Sequence, residues 1–364
     1  MPWCIDQVQD AYKELATYLA PPQTSFSNET RNLANNLTIT NGSASTLEHL
    51  ADESINNITV DPPYSDNVMY AELADFFYVW LKRSVGHLFP EFFRDELTNK
   101  DDEAVANPAR FANLSPSPSP TKRGGNVRKL AEQDYERKMF AAFREMHRVL
   151  KPNGVLTVMF THKKVEAWDT LASALINAGF TIKASWPVHT ESEHSLHQAK
   201  KNAAASTILL VCRKRTKDER RTTNDAVWWD DIQTRVRETA RSSAAQFAQA
   251  GIRGVDLYIS TFGPTLSIIS EQWPVLTSEI DPKTGEPKPL RPETALELAR
   301  QEVVHLQKQR LLLGRDLQFD PVTDWYIMAW DAFHAEQFPY DEARKLALAI
   351  DVDLDKIIMA SERL

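Results

Sequence analysis

The chain has 364 residues, 42 basic against 50 acidic side chains and a formal charge of −8, with a mean hydropathy of −0.42. That balance excludes a chain disordered throughout, and the length is ample for one large α/β domain with an appendage or for two domains. Two cysteines, Cys4 and Cys212, lie far apart without any metal-ligand spacing, which excludes a disulfide framework and a structural zinc site.

Residues 5–20 place Ile5, Val8, Tyr12, Leu15 and Leu19 at helical spacing before Pro21-Pro22 and are expected to form an amphipathic helix, with a linker to residue 32. A short alternating stretch at 37–40 and a helical scrap at 47–51 precede Ile55–Val60, a strand that stops at Asp61-Pro62-Pro63. Val68–Leu81 is apolar nearly all round (Met69, Tyr70, Leu73, Phe76, Phe77, Val79, Trp80), the pattern of a largely buried helix or of a helical binding surface, with core the favoured outcome. Residues 99–129 are expected to be a mobile loop, because Asp101-Asp102-Glu103, Ser115–Pro120 and Thr121–Gly125 offer little surface to bury.

Tyr135–Leu150 then reads as an amphipathic helix closed by Lys151-Pro-Asn-Gly154, followed by a buried strand at 155–160, a helix at 166–178 ending at Gly179, and a strand at 180–188. A polar loop at 189–205 leads to a strand at 206–212. Beyond 222 the pattern predicts a helix at 225–250, a short strand at 257–262, turns at 281–292 and helix to the end, a solvated helical appendage or a docking surface. This is the element order of an α/β sheet with a closing hairpin. No run approaches about 18 apolar residues and no signal-peptide layout opens the chain, so a soluble cytoplasmic protein is expected.

Charge is uneven. Residues 110–151 hold ten Lys/Arg against four Asp/Glu, 200–221 eight against two, and 279–364 eleven against seventeen. The basic pairs Lys122-Arg123, Lys163-Lys164 and Lys200-Lys201 are candidates for phosphate contact or simply a solvated basic face. His162, His189, His194 and His197 have no metal-ligand spacing and read as polar-loop histidines.

The sharpest motif is Asp61-Pro62-Pro63-Tyr64, directly after a predicted strand. The exocyclic amine of adenine or cytosine is a poor nucleophile because its lone pair is delocalised into the ring. A carboxylate and a backbone carbonyl that accept both amine hydrogens favour the pyramidal nitrogen able to attack a methyl donor. Asp61 supplies the carboxylate, the Pro62 carbonyl is kept out of any sheet ladder, and Tyr64 offers a face on which an extruded base stacks. Asn67 and Tyr70 lie close enough in sequence to contact nucleic acid. The bland alternative is a rigid turn.

The text DPPYSDNVMYAELADFFYVWLKR, with HRVLKPNGVLTVMFTHKK, AWDTLASALINAGF, WPVHTE and AAASTILLVCRKR, resembles the S-adenosylmethionine-dependent DNA amino-methyltransferases. Within them it is similar to the large prokaryotic adenine-specific DNA methylases often encoded with phage-defence genes. The resemblance covers residues 37–215 well and 225–275 more weakly. It implies a Rossmann-like sheet in which 55–60 is the fourth strand, 155–160 the fifth and 180–213 the last pair. It also implies DNA as partner, S-adenosylmethionine as cofactor, Asp61, Pro62 and Tyr64 as the base-binding and activating residues, and Pro63 as the shaper of the loop.

Two departures stand beside it. The glycine-rich turn that holds the cofactor's methionine is missing, since residues 1–60 contain only Gly42 and no GxG occurs; Phe262-Gly263-Pro264 is a weak substitute. Ser43-Ala44 stand where the family's adenine-contacting Asp often lies. A truncated methyltransferase, one half of a split enzyme with a separately encoded N-terminal half or other defence proteins as partners, and a catalytically silent DNA-binding or assembly subunit therefore all stay open, as does methylation of RNA or protein glutamine.

Overall fold

The computed structural model describes residues 42–66, 68–111, 120–162, 165–189, 206–215, 226–252, 254–311 and 319–333, with isolated positions outside those stretches. Two compact units are present, Met1–Ser43 and Ala44–Leu364. In the first, Asp10 and Lys13 are helical and form an exposed ion pair at 3.5 Å. The rest of the helix expected at 5–20, most of the 37–40 stretch, the polar loop at 190–205 and most of the C-terminal end lie outside the described residues.

The second unit is an α/β structure whose main sheet is mixed. Strands β1 (Ile55–Val60), β2 (Leu150–Phe160), β3 (Phe180–His189) and β4 (Ser206–Lys214) lie in the order β1-β2-β4-β3. β1 and β2 are parallel, with Ile58 opposite Leu156 and Val60 opposite Val158. β4 runs antiparallel to both β2 and β3. In β2, Leu156, Val158 and Phe160 are fully buried on one face, while Val155, Thr157 and Met159 on the other are partly exposed, so the run expected to be buried at 155–160 is fully covered on one face only. The predicted stop turn at 151–154 is drawn into the strand: Gly154 lies so close to the Asn56 carbonyl that a Cβ would sit 2.9 Å from it.

The β1-to-β2 connection carries α1 (Tyr70–Val85) and α2 (Pro120–Val149). α2 buries Ala131, Tyr135, Met139, Phe143 and Met146 in the core, a regular helical stripe. It begins at Pro120, so the loop expected over 99–129 is corrected at both ends: 120–129 is helix, and 99–111 is ordered. Thr98 and Lys100 bind the Asp75 carboxylate, holding it down at about 2, and Glu103 accepts the Ala71 amide and pairs with Arg110. Residues 112–119 lie outside the described residues. The scrap at 47–51 is a turn, tied to the end of α2 because Arg148 donates to the Leu47 and Leu50 carbonyls.

α1 is where composition misleads. Core is the favoured expectation, yet Ala71 is its one buried residue, and Phe76 and Phe77 are 66% and 64% exposed. α2, not α1, covers the sheet, so an all-round apolar helix is left with its rings outward. Phe77→Ser is accordingly expected to leave stability within about 0.5 kcal/mol of wild type, whereas a buried ring such as Phe143→Ala should cost about 3–5 kcal/mol. Paired urea titrations check this; a matching loss in Phe77→Ser would mean that α1 is packed in solution.

After β2, α3 (Val165–Asn177) is buried along nearly its whole length and ends at Gly179, whose φ of +95° permits the reversal into β3. The C-terminal half brings α4 (Trp229–Gln249), α5 (Gly254–Gln272), α6 (Pro292–Leu311) and α7 (Pro321–Phe333), with a small sheet of β5 (Val227–Trp228), β6 (Val275–Ile280) and β7 (Pro287–Pro289). It is not an appendage: Ile232, Val236, Phe262, Leu266 and Leu296 share one core with the main sheet. The strand expected at 257–262 is the first half of α5. Its apolar run is buried all round, between α4 and α6 on one side and β3 on the other, which is why it lacks the alternation of polar positions.

α5 also covers the outer strand β3. A bulge between Ile182 and Ala184 leaves the Ile182 backbone to be satisfied by Ser270, which accepts from its amide, and Ser267, which donates to its carbonyl. Elsewhere the buried Asp169 of α3 accepts from Arg291 and from the Glu293 amide at 2.8 Å, holding the start of α6. Asp169→Ala is expected to cost about 1–2 kcal/mol, less than a fully buried pair because Arg291 is half exposed. A fall in the thermal midpoint with earlier proteolysis at 281–292 would register it; an unchanged midpoint would refute it.

Among the described residues no helix is long and apolar enough to cross a membrane.

Candidate functional site

β1 carries the chain to the edge of the sheet where its parallel neighbour β2 also ends, the carboxyl end at which open α/β sheets bind ligands. Asp61 is exposed there, and Pro62, Pro63 and Tyr64 are half-buried. The two prolines cannot continue a ladder, so the strand stops and the loop turns inward.

Four contacts fix the loop. The Tyr64 ring meets the buried Phe160 edge to face, with centroids 5.2 Å apart. Burial first, and then the Asp61 carboxylate close by, push its phenol well above its ordinary range. The Pro63 carbonyl accepts from the Ser65 amide at 3.1 Å and from the Tyr135 hydroxyl at 2.6 Å. Ser65, at a φ of +51°, is pinned in turn by the Ala106 amide, which donates to its carbonyl at 3.1 Å. No hydrogen bond among the described residues uses the Pro62 carbonyl.

Tyr70, on the first turn of α1, is exposed and near enough to Tyr64 to act on it electrostatically. Asn67 lies outside the described residues. Lys122 and Arg123 sit in the first turn of α2, with their side chains outside the described residues, as are Lys163, Lys164, Lys200 and Lys201 entirely. Ser43 and Ala44 are both exposed.

Beside the motif opens a cleft of about 1070 Å³, bordered on the motif side by Ser65, Asp66, Tyr135 and His162. Asp66 and His162 approach to 3.5 Å and so join the loops that follow β1 and β2. The far wall mixes charges: Glu166, Asp169, Glu293 and Glu297 face it together with Arg291 and Arg300, and burial, followed by the charges of Asp169 and Glu166, raises the Glu293 carboxyl.

Among the described residues, neither Gly42 nor Gly263 fits a cradle for S-adenosylmethionine. Gly263, the late substitute for the glycine turn, lies inside α5, where its Cα faces Ser185 of β3. Gly42 is exposed, with nothing within 4 Å of the position a Cβ would take. Among the described residues, no group of three or more His, Cys, Asp or Glu could hold a metal ion.

Sequence reasoning passed over Tyr135 as the start of an amphipathic helix. The signal was there in principle, since a phenol on a stripe with Met139 and Phe143 brings a hydroxyl into the core that must find a partner. No family model, curated protein or solved structure matches the chain.

Proposed function

We propose that the chain carries the target-amine site of a DNA adenine methyltransferase, with Asp61 and the Pro62 carbonyl accepting the two hydrogens of the adenine amine. The observation that carries the reading is the placement of Asp61-Pro62-Pro63-Tyr64 at the carboxyl end of a parallel strand, with the Asp61 carboxylate exposed and the loop tied down. The strand order β1-β2-β4-β3, with β4 antiparallel, supports a Rossmann-like methyltransferase sheet whose fourth to last strands these are.

In this reading the amine lone pair is withdrawn from ring delocalisation as Asp61 and Pro62 draw the nitrogen pyramidal. Tyr64 packs its ring on Phe160 with its hydroxyl close to the carboxylate, and offers the face on which the extruded base stacks. The described residues offer no cradle for the methyl donor, S-adenosylmethionine. That side of the site is assigned to a further polypeptide segment, in keeping with a split or truncated methylase working on DNA with a partner. The same observation favours a second reading, a silent DNA-binding or assembly subunit of a methylase or phage-defence complex.

The deciding experiment incubates unmethylated DNA and methyl-labelled S-adenosylmethionine with the chain, alone and within its native complex, and analyses the digested DNA. N6-methyladenine is the expected product. Its absence in both forms would leave the silent subunit. Calorimetric titration with S-adenosylmethionine places the donor: micromolar binding puts it on this chain, and no binding at millimolar ligand puts it elsewhere.

A further inference from the structure

We propose that Tyr135 is the positioning residue of the Asp61–Tyr64 loop, occupying the Pro63 carbonyl so that the Pro62 carbonyl is the one presented to the target amine. This rests on the functional reading above and adds what selects the Pro62 carbonyl over its neighbour.

The argument starts from the amine. Asp61 accepts one of its two hydrogens, and the second needs another acceptor within the same loop. Two adjacent proline carbonyls are available by sequence, and they point to different sides of the chain. Pro63 is engaged by two donors, the Tyr135 hydroxyl at 2.6 Å and the Ser65 amide at 3.1 Å, which together use both its lone pairs. Pro62 has no such partner among the described residues.

Tyr135 is built to hold that bond. It is 1% exposed, flanked on its helix face by the buried Ala131 and Met139, and its ring cannot swing without disrupting the core. Its hydroxyl thus fixes a point of the loop 72 positions earlier in the chain, at the same carbonyl that the Ser65 amide uses. Ser65 keeps its left-handed backbone because its amide is tied to the Pro63 carbonyl that Tyr135 anchors and its own carbonyl accepts from the Ala106 amide. α2 thus acts on the motif through a single oxygen, while Asp61 and Tyr64 touch the base.

Tyr135→Phe removes that oxygen and keeps the ring, and Met139→Leu on the same face serves as a packing control. In hydrogen exchange, the Ser65 and Asp66 amides of Tyr135→Phe should exchange at least about tenfold faster than wild type, with β3 and β4 unchanged. In methyl transfer, kcat should fall about 10- to 100-fold while KM for DNA stays within about twofold, a split that a general loss of stability does not give. Met139→Leu should leave both readouts unchanged. Unchanged exchange at Ser65 and Asp66, or faster exchange with undiminished kcat, overturns the proposal. If the wild-type complex transfers no methyl group at all, it is the functional reading that fails, and the tether is decided by the exchange rates.

Discussion

Asp61→Ala is expected to lower methyl transfer to adenine by about 10³-fold or more while leaving the melting midpoint unchanged, because a preorganised acceptor aimed at developing charge is worth about 3–4 kcal/mol in the transition state. The unchanged fold follows from the surroundings. Asp61 is exposed and acts on Tyr64 as a nearby charge, so removing the carboxylate takes away no buried contact. Labelled methyl groups recovered as N6-methyladenine give the rate, and a thermal melt of the same preparation gives the fold. Transfer persisting at near wild-type rate would remove Asp61 from the reaction and with it the reading of the motif. A large drop in midpoint would instead return the tetrapeptide to the rank of a structural turn.

Gly263→Val is expected to be strongly destabilising. A Cβ at this position would lie 2.2 Å from the Ser185 Cβ, so α5 and β3 would have to separate along the line where Ser267 and Ser270 satisfy Ile182. Overpacking alone costs about 1–3 kcal/mol, and the added loss of two buried hydrogen bonds brings the expectation to about 3 kcal/mol or more. Chemical denaturation of purified protein measures it, with aggregation during expression as the likeness of a larger effect. A loss under about 1 kcal/mol would mean that the helix slides freely on the sheet and that the close approach is not needed.

How much of this could be read from the sequence depends on how local each cause is. The β1, β2, β3 and β4 strands and the helix after β2 follow from short runs bounded by Pro, Asn-Gly or Gly, and the structure has them within a few residues. The tetrapeptide falls at a strand end because two prolines stop a ladder, a rule that needs no tertiary information. α5 was read as a strand because Leu257–Phe262 is mostly apolar and β-prone, and so short a run cannot separate a buried helix, which here buries Ser260 and Thr261 as well, from a buried strand. The outward face of α1 is illegible for a different reason: hydrophobicity states what a surface prefers, not whether another element is there to meet it. The Tyr135 bond to Pro63 joins residues 72 apart, and the cleft is assembled from the loops after β1 and β2 with α2, α3 and α6, so neither has any local signature.

The β1–β2 pair has a consequence for the order in which the molecule assembles. Ile58 meets Leu156 across a connection of nearly a hundred residues, whereas β3 and β4 are joined by the much shorter segment 190–205. Loop-closure entropy and contact order both place the long-range parallel pairing late. A nucleus of β2, α3, β3 and β4 is therefore expected to form first, with β1 adding to its open edge afterwards. During synthesis the Asp61–Tyr64 loop leaves the ribosome well before the strand that gives it a shape. Its geometry is acquired only after α2 and β2 have followed, so the motif is translated early and finished late.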